Sequence, residues 1–347
     1  MANYIHKGAF LRITQLALNG ASIRSLERSE GVDQNTIIRW LLKLGEGAAI
    51  LNDRTKNLKC DCVEFDEHWS WVGVKEENKK PYHPTDFGER WTFLAVDKKS
   101  KMIIASEMGR RNKSIAHGFL SKLKSRLCLQ QIPQLVSDGW EAYAGLVARI
   151  FGRAVPYVQI VKHPFGKEPI PIQIRTVQGA NNPTVRSTSA VERVNGYFRD
   201  WLRRFSRKTK AFSKSVKHHD ATIELFIAFY NYAWAGNKSR STPAFAAGLS
   251  LNKWTLEELI TQLLHLAGAP HPGFNQFPQI LRVEHPSPSK TSPSDPIPLR
   301  GELHPWDEPV DRRGPKYNQR TNVEGRSGMP PLARPPRQKP PPRTDTS

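Results

Sequence analysis

At 347 residues the chain is long enough for one sizeable core plus a small accessory domain, and 52 Lys and Arg against 32 Asp and Glu leave a net charge of +20. Such an excess favours a polyanionic partner, with nucleic acid ahead of an anionic membrane surface, although charge alone does not choose between them. No window reaches the roughly 18 continuous apolar residues of a membrane span, and the start MANYIHKGAF lacks an apolar signal core, so no membrane partner is expected and the location is read as cytoplasmic, associated with the nucleoid.

The first segment reads as three short helices, with apolar positions at Leu11, Ile13, Leu16 and Leu18, then Ile23 and Leu26, then Ile37, Ile38, Leu41 and Leu42. Between the second and third lies EGVDQNTIIRWL, where Gly31 permits a tight turn, Val32 fills a trihelical core and Asp33 caps the next helix. That outline is a helix-turn-helix, expected over residues 1–50 as an all-α domain. Its third helix would present Gln34, Asn35, Thr36 and Arg39 near the N-terminus, residue types that reach base edges and phosphates in a major groove. Small trihelical bundles with no DNA role share the pattern.

Three cysteines, Cys60, Cys62 and Cys128, are too few for a disulfide framework, and Cys-Asp-Cys is too tight for an ordinary zinc knuckle. Buried free thiols are expected, and no zinc. Residues 58–75 read as a strand pair, and WTFLAVDKKSKMIIASEMG reads as a hairpin turning at Lys98–Lys101. SIAHGFLSKLKSRL has helical periodicity, QLVSDGWEAY begins as a short strand, and SAVERVNGYFRDWLRRF is an amphipathic helix. The order β-β-β-α-β-…-α predicts an α/β fold: a ribonuclease H-like, retroviral-integrase-like core over residues 58–250, followed by a C-terminal helix over 251–270. More than half of the 27 prolines lie beyond His271 without a periodic apolar pattern, so residues 271–347 are expected to be a disordered tail of unassigned role.

Three carboxylates stand where such a core would need them: Asp66 on the first strand, Asp138 at the end of the fourth, and Glu192 on the late helix. Hard divalent ions prefer oxygen ligands and keep positions open for water and phosphate, so carboxylates converging from separate elements can hold two of them for in-line displacement at phosphorus. Singly each acid is weak evidence, since an Asp in Ser-Asp-Gly is more often a turn residue. On the late helix Val191, Val194, Phe198, Leu202 and Phe205 form one apolar stripe, beside which Glu192, Asn195, Arg199 and Arg203 form a polar row. A carboxylate followed by guanidinium groups suits a metal ligand with phosphate clamps beyond it. Downstream, Arg203, Arg204, Arg207, Lys208 and Lys210 begin a basic stretch interleaved with Phe205 and Phe212, which reads as a DNA-backbone track or as a solvated face.

VEFDEHWSWVG, WTFLAVDKKS, VSDGWEAY and AVERVNGYFRDWLRRFSRKTKAFSKSVKHHD resemble, in order and wording, the transposases of the first-described bacterial insertion-sequence family, IS-one. Four separated blocks in order are far more specific than one carboxylate triad. The resemblance implies a DDE catalytic domain with Asp66, Asp138 and Glu192 as its triad, Mg²⁺ or Mn²⁺ as cofactor, and a helix-turn-helix that recognises terminal inverted repeats of double-stranded DNA. It also implies cleavage at element ends and transfer of the cut strand to target DNA, by a homo-oligomer in a synaptic complex. Members often carry a small zinc-binding segment ahead of the helix-turn-helix, and no cysteine precedes Cys60 here. Two other readings remain: a ribonuclease H-like nuclease without strand transfer, and a helix-turn-helix regulator with an inactive catalytic domain.

Overall fold

The computed structural model describes residues 6–128, 130–131, 133–162, 172–179, 187–206, 208–236, 241–271 and 273–278. Beyond residue 278, the expected proline-rich tail lies outside the described residues, as does Arg207 of the basic stretch.

Three helices open the fold: α1 (Lys7–Leu18), α2 (Ile23–Glu30) and α3 (Gln34–Asp53). Their ends follow the local chemistry read from sequence. Gly31 terminates α2 in the left-handed region at φ 66°, a conformation glycine adopts without steric cost. Asp33 then accepts hydrogen bonds from the Asn35 and Thr36 amides at 2.9 and 3.3 Å, satisfying two of the first free donors of α3.

At 20 residues, however, α3 is longer than a short recognition helix. Gly45 and Gly47 let its C-terminal half approach two other helices closely, α7 (Val216–Ala228) and α9 (Leu256–Leu266). A Cβ at Gly45 would lie 2.5 Å from that of Ala221, and one at Gly47 would lie 2.0 Å from the Leu263 carbonyl oxygen. Ile13, Trp40 and Leu44 consequently share one core with Leu225, Phe229, Trp254 and Leu263. The N-terminal helices therefore have no separate core. Phe274 also belongs to this cluster, with its ring 5.6 Å from that of Trp40, so the segment around residue 274 packs as part of the fold.

A six-stranded sheet follows, built from β1 (Cys62–Val72), β2 (Gly88–Asp97), β3 (Ile103–Gly109), β4 (Gln134–Asp138), β5 (Tyr157–Lys162) and β6 (Ile172–Gln178) in the order β3-β2-β1-β4-β5-β6. The first three strands form an antiparallel meander. β4 and β5 run parallel to β1, and β6 returns antiparallel. This mixed sheet has the ribonuclease H-like arrangement expected from the element order. Residues 62–72 are one continuous strand instead of the expected pair, because both of its faces are covered and no turn residue interrupts it.

Helices α4 (Lys113–Arg126) and α5 (Glu141–Phe151) cover one face, packing Phe119 and Tyr143 on Phe65. The other face is covered by α6 (Ser189–Trp201) and α7, through Val194, Phe198 and Phe226. The late helix ends at Trp201, earlier than its apolar stripe suggests. Leu202 turns extended at φ −121°, and a 3-10 turn over Arg203–Phe205 folds back so that Leu202 and Phe205 are both buried. A short helix, α8 (Pro243–Ala246), precedes α9. Cys60, Cys62 and Cys128 are buried and unbridged. Among the described residues, no helix is long and apolar enough to cross a membrane.

Candidate active site

β1 continues past the end of β4, the last pair between them being Phe65 with Ser137. Asp66 and Glu67 therefore emerge at the sheet's end, beside the Asp138 that closes β4. In a strand, neighbouring side chains point to opposite faces, and here they do. The Asn195 amide of α6 donates to Asp66 Oδ2 at 3.0 Å on one face, while Tyr143 of α5 donates its hydroxyl to Glu67 on the other. Beyond the edge of β4 the carboxylates from both faces come around to the same place. One oxygen from each of Asp66, Glu67 and Asp138 lies within 4.8 Å of the others.

Asp138 is fixed by its own turn, its Oδ1 accepting the Trp140 amide at 3.1 Å. Glu192 lines the same cleft, of about 600 Å³, from the first turn of α6. It stands apart from the three-carboxylate cluster, held at its Oε1 by Lys162 at 2.5 Å and by the Thr188 hydroxyl at 2.7 Å. Lys162 comes from the end of β5.

The electrostatics separate these acids. Burial first, and then the neighbouring Asp138 charge, push the Asp66 carboxyl up to about 6. The same two causes push Glu67 up to about 7, against the Tyr143 hydrogen bond and the Arg111 charge. For Glu192 burial works upward, but the Lys162 and Thr188 hydrogen bonds outweigh it and hold the carboxyl below its ordinary value. A desolvated group of hard oxygen donors carrying mutually repelling charge fits a divalent cation, which would relieve that repulsion. Asp66, Glu67 and Asp138 are the residues that could hold it, with Glu192 facing them across the cleft.

α6 is positioned by an acid that sequence reading passed over. Thr188 makes no side-chain bond to the helix N-terminus. Instead Glu64, fully buried on β1, accepts the Ala190 amide at 2.6 Å and the Val191 amide at 3.2 Å, with Lys98 at 2.6 Å on its other oxygen. Glu64 and Asp66 share one face of β1, so a single strand carries both a candidate ligand and the cap of the helix bearing Glu192.

The remaining expected site residues divide by environment. Asn195 is 2% exposed and orients Asp66, so its own contacts argue against the expected DNA contact. Arg203 lies beyond the end of α6 and so leaves the polar row. Arg203, Lys208 and Lys210 are exposed, Arg199 and Arg204 are partly buried, and burial lowers the Arg204 pKa. On α3, Asn35 and Arg39 are exposed, while Gln34 and Thr36 are half-buried. Gln34 donates to Glu27 at 2.5 Å, and Arg39 to the Thr36 hydroxyl at 3.4 Å.

Glu67 was missed because period-two alternation assigns it to the face opposite Asp66, and only the short length of β4 brings the two together. Its signal was the consecutive acids in VEFDEHW.

Residues 60–153 match the IS1 transposase family model. The Insertion element IS1 protein InsB of Shigella flexneri is 28% identical over 171 residues, covering 49% of this chain and 97% of that protein. The IS1 2 protein InsB of Escherichia coli strain K12 is also 28% identical, with 49% and 76% covered. Among solved structures, the Mos1 mariner paired end complex with Mn aligns over 79% of this chain and 82% of its own at 11% identity, with a TM-score of 0.27. Over its sheet region the chain is thus similar to the transposases of the IS1 insertion-sequence family.

Proposed function

We propose that the chain binds the ends of an insertion sequence, cuts them and joins them to target DNA by metal-dependent phosphoryl transfer. The observation that carries this reading is the convergence of Asp66, Glu67 and Asp138 at one sheet end, facing Glu192 across an open cleft. Mg²⁺ or Mn²⁺, when bound, would supply Lewis-acid stabilisation of the attacking and leaving oxygens of an in-line displacement.

In the first step water attacks the phosphodiester at the element's end, the bond from phosphorus to the 3′ oxygen breaks, and the leaving oxygen takes up a proton as a 3′-OH. In the second, that hydroxyl attacks a target phosphorus and forms the new phosphodiester while a target 3′ oxygen leaves and is protonated. The net count of phosphodiester bonds is unchanged in the second step, so no energy source is required. Asp66 and Asp138 serve as ligands, with Glu67 beside them. Asn195 holds the Asp66 carboxylate in a fixed rotamer, and Glu192, tethered by Lys162 and Thr188, closes the site from α6.

The exposed face of α3 at Asn35 and Arg39, with Gln34 and Thr36 behind it, reads the terminal repeats as the second helix of a helix-turn-helix. Arg199, Arg203, Arg204, Arg207, Lys208 and Lys210 neutralise backbone phosphates, and two or more copies pair the ends. A ribonuclease H-like nuclease has the same carboxylates but releases hydrolysed product only.

The test is a reaction of the full chain with uncut end DNA and, in parallel, with pre-cut end DNA, each with a supercoiled target and Mg²⁺. Joined product is expected from the parent, while Asp66→Asn and Asp138→Asn variants lose both cutting and joining but retain end binding. Cutting without any joined product would favour the nuclease, and full activity in either variant would reject the site.

A further inference from the structure

Arg111 lies between the end of β3 and the start of α4, and its guanidinium enters the cleft beside Asp66 and Asp138. Its Nη2 and Nε lie 3.3 and 3.4 Å from Glu67 Oε2, and Nη2 lies 3.8 Å from Asp138 Oδ2. These separations exceed the 2.7–2.9 Å of a well-formed charge-assisted pair. The group is also flanked by aromatic faces: its central carbon is 4.4 Å from the centre of the Trp140 ring and 5.3 Å from that of Trp91. A guanidinium lying over aromatic faces is oriented and partly desolvated while the N–H groups at its edge remain available. The acids it faces are the ones a cation would occupy.

Resting on the phosphoryl-transfer reading of this cleft, we propose that Arg111 is a phosphate-binding catalytic residue that changes partners on metal binding. Before metal binds, it is the loose counter-ion of Glu67 and Asp138. Glu67 and Asp138, once committed to a divalent cation, would release the guanidinium from this loose pairing. The N–H fork, still stacked on Trp140, then donates to a non-bridging oxygen of the phosphodiester held against the cluster. No side chain has to cross the cleft, since a phosphate held at these carboxylates would lie on the side of Arg111 that already faces Glu67 and Asp138. Charge alone would be served by a lysine, whereas paired donation to a phosphate in a stacked geometry requires arginine.

The experiment compares the parent, Arg111→Gln, Arg111→Lys and Asp138→Asn as full-length proteins. Mn²⁺ binding without DNA is followed by electron paramagnetic resonance, and single-turnover end cleavage is measured at saturating Mn²⁺. Arg111→Gln removes a competing positive charge and is expected to bind Mn²⁺ about 5-fold more tightly, yet cleave about 100-fold more slowly. Arg111→Lys is expected to keep parental Mn²⁺ affinity and still cleave at least 10-fold more slowly. Mn²⁺ affinity in Arg111→Gln that is unchanged or weaker, or cleavage within threefold of the parent, overturns the proposal. If Arg111→Gln does not fold, parental cleavage by Arg111→Lys overturns it. Asp138→Asn separates the two readings: if it binds Mn²⁺ like the parent, the metal site itself is wrong, whereas lost binding there beside a parental Arg111→Gln removes only the role of Arg111.

Discussion

Replacing Glu64 with Ala tests whether one buried acid ties the catalytic strand to the helix that faces it. Two effects add. The helix cap is lost, at about 1 kcal/mol, and Lys98 and two amide groups lose an acceptor inside the protein. Breaking a fully buried pair costs about 3–5 kcal/mol. Lys98, however, is 29% exposed and also donates to the Ser187 hydroxyl at 3.0 Å, so water recovers part of that. A total of about 3 kcal/mol is expected, lowering the melting temperature by about 6–12 °C at 2–4 °C per kcal/mol for a domain of this size. Glu64→Gln keeps one acceptor oxygen for the helix amides while its NH2 faces Lys98, which can turn to water and Ser187, so it should cost about 1–2 kcal/mol, less than the Ala variant. Urea unfolding at a common m-value, with a thermal melt beside it, gives both numbers. A Glu64→Ala variant within 0.5 kcal/mol of the parent, or a Gln variant as damaged as the Ala variant, would refute the capping argument.

Three further predictions draw on other parts of the molecule. The raised carboxyls of Asp66 and Glu67 mean that the native state binds protons more tightly than the unfolded chain, so these groups subtract stability as pH rises from about 4 through 7. Glu67→Gln should therefore raise stability by about 1–2 kcal/mol at pH 8 and by nothing near pH 4, and a gain independent of pH would contradict this. Asn35→Ala with Arg39→Ala should change stability by less than about 0.5 kcal/mol while reducing discrimination of element ends from random DNA by about 5- to 150-fold per lost base contact, read by competition binding. Phe274→Ala should cost about 3 kcal/mol because its ring fills the core against Trp40, and a urea midpoint equal to the parent's would place that segment outside the fold.

The local elements and their order were legible in the linear chain. The cap at Asp33, the glycine stop at Gly31, the hairpin near Lys101 and the amphipathic face of α6 each depend on residues within one or two turns of each other, so their signals are complete in the linear chain. Element order then led to a ribonuclease H-like core and to Asp66 and Asp138 as acids at strand positions in it. Decisions that rest on long-range packing were not legible. Ile13, Val32 and Ile37 looked like the core of a small trihelical domain, yet Gly45 and Gly47 admit α7 and α9 so closely that one core serves both ends of the chain. Asn195 looked like a DNA contact on a polar row, but burial against β1 turned its amide to Asp66. Glu67 belongs by alternation to the far face of the sheet, and it joins the cluster only because β4 ends where β1 continues. Strand length and helix approach are fixed by packing between distant segments, and side chains near an element's end take their partners from whatever that packing brings alongside.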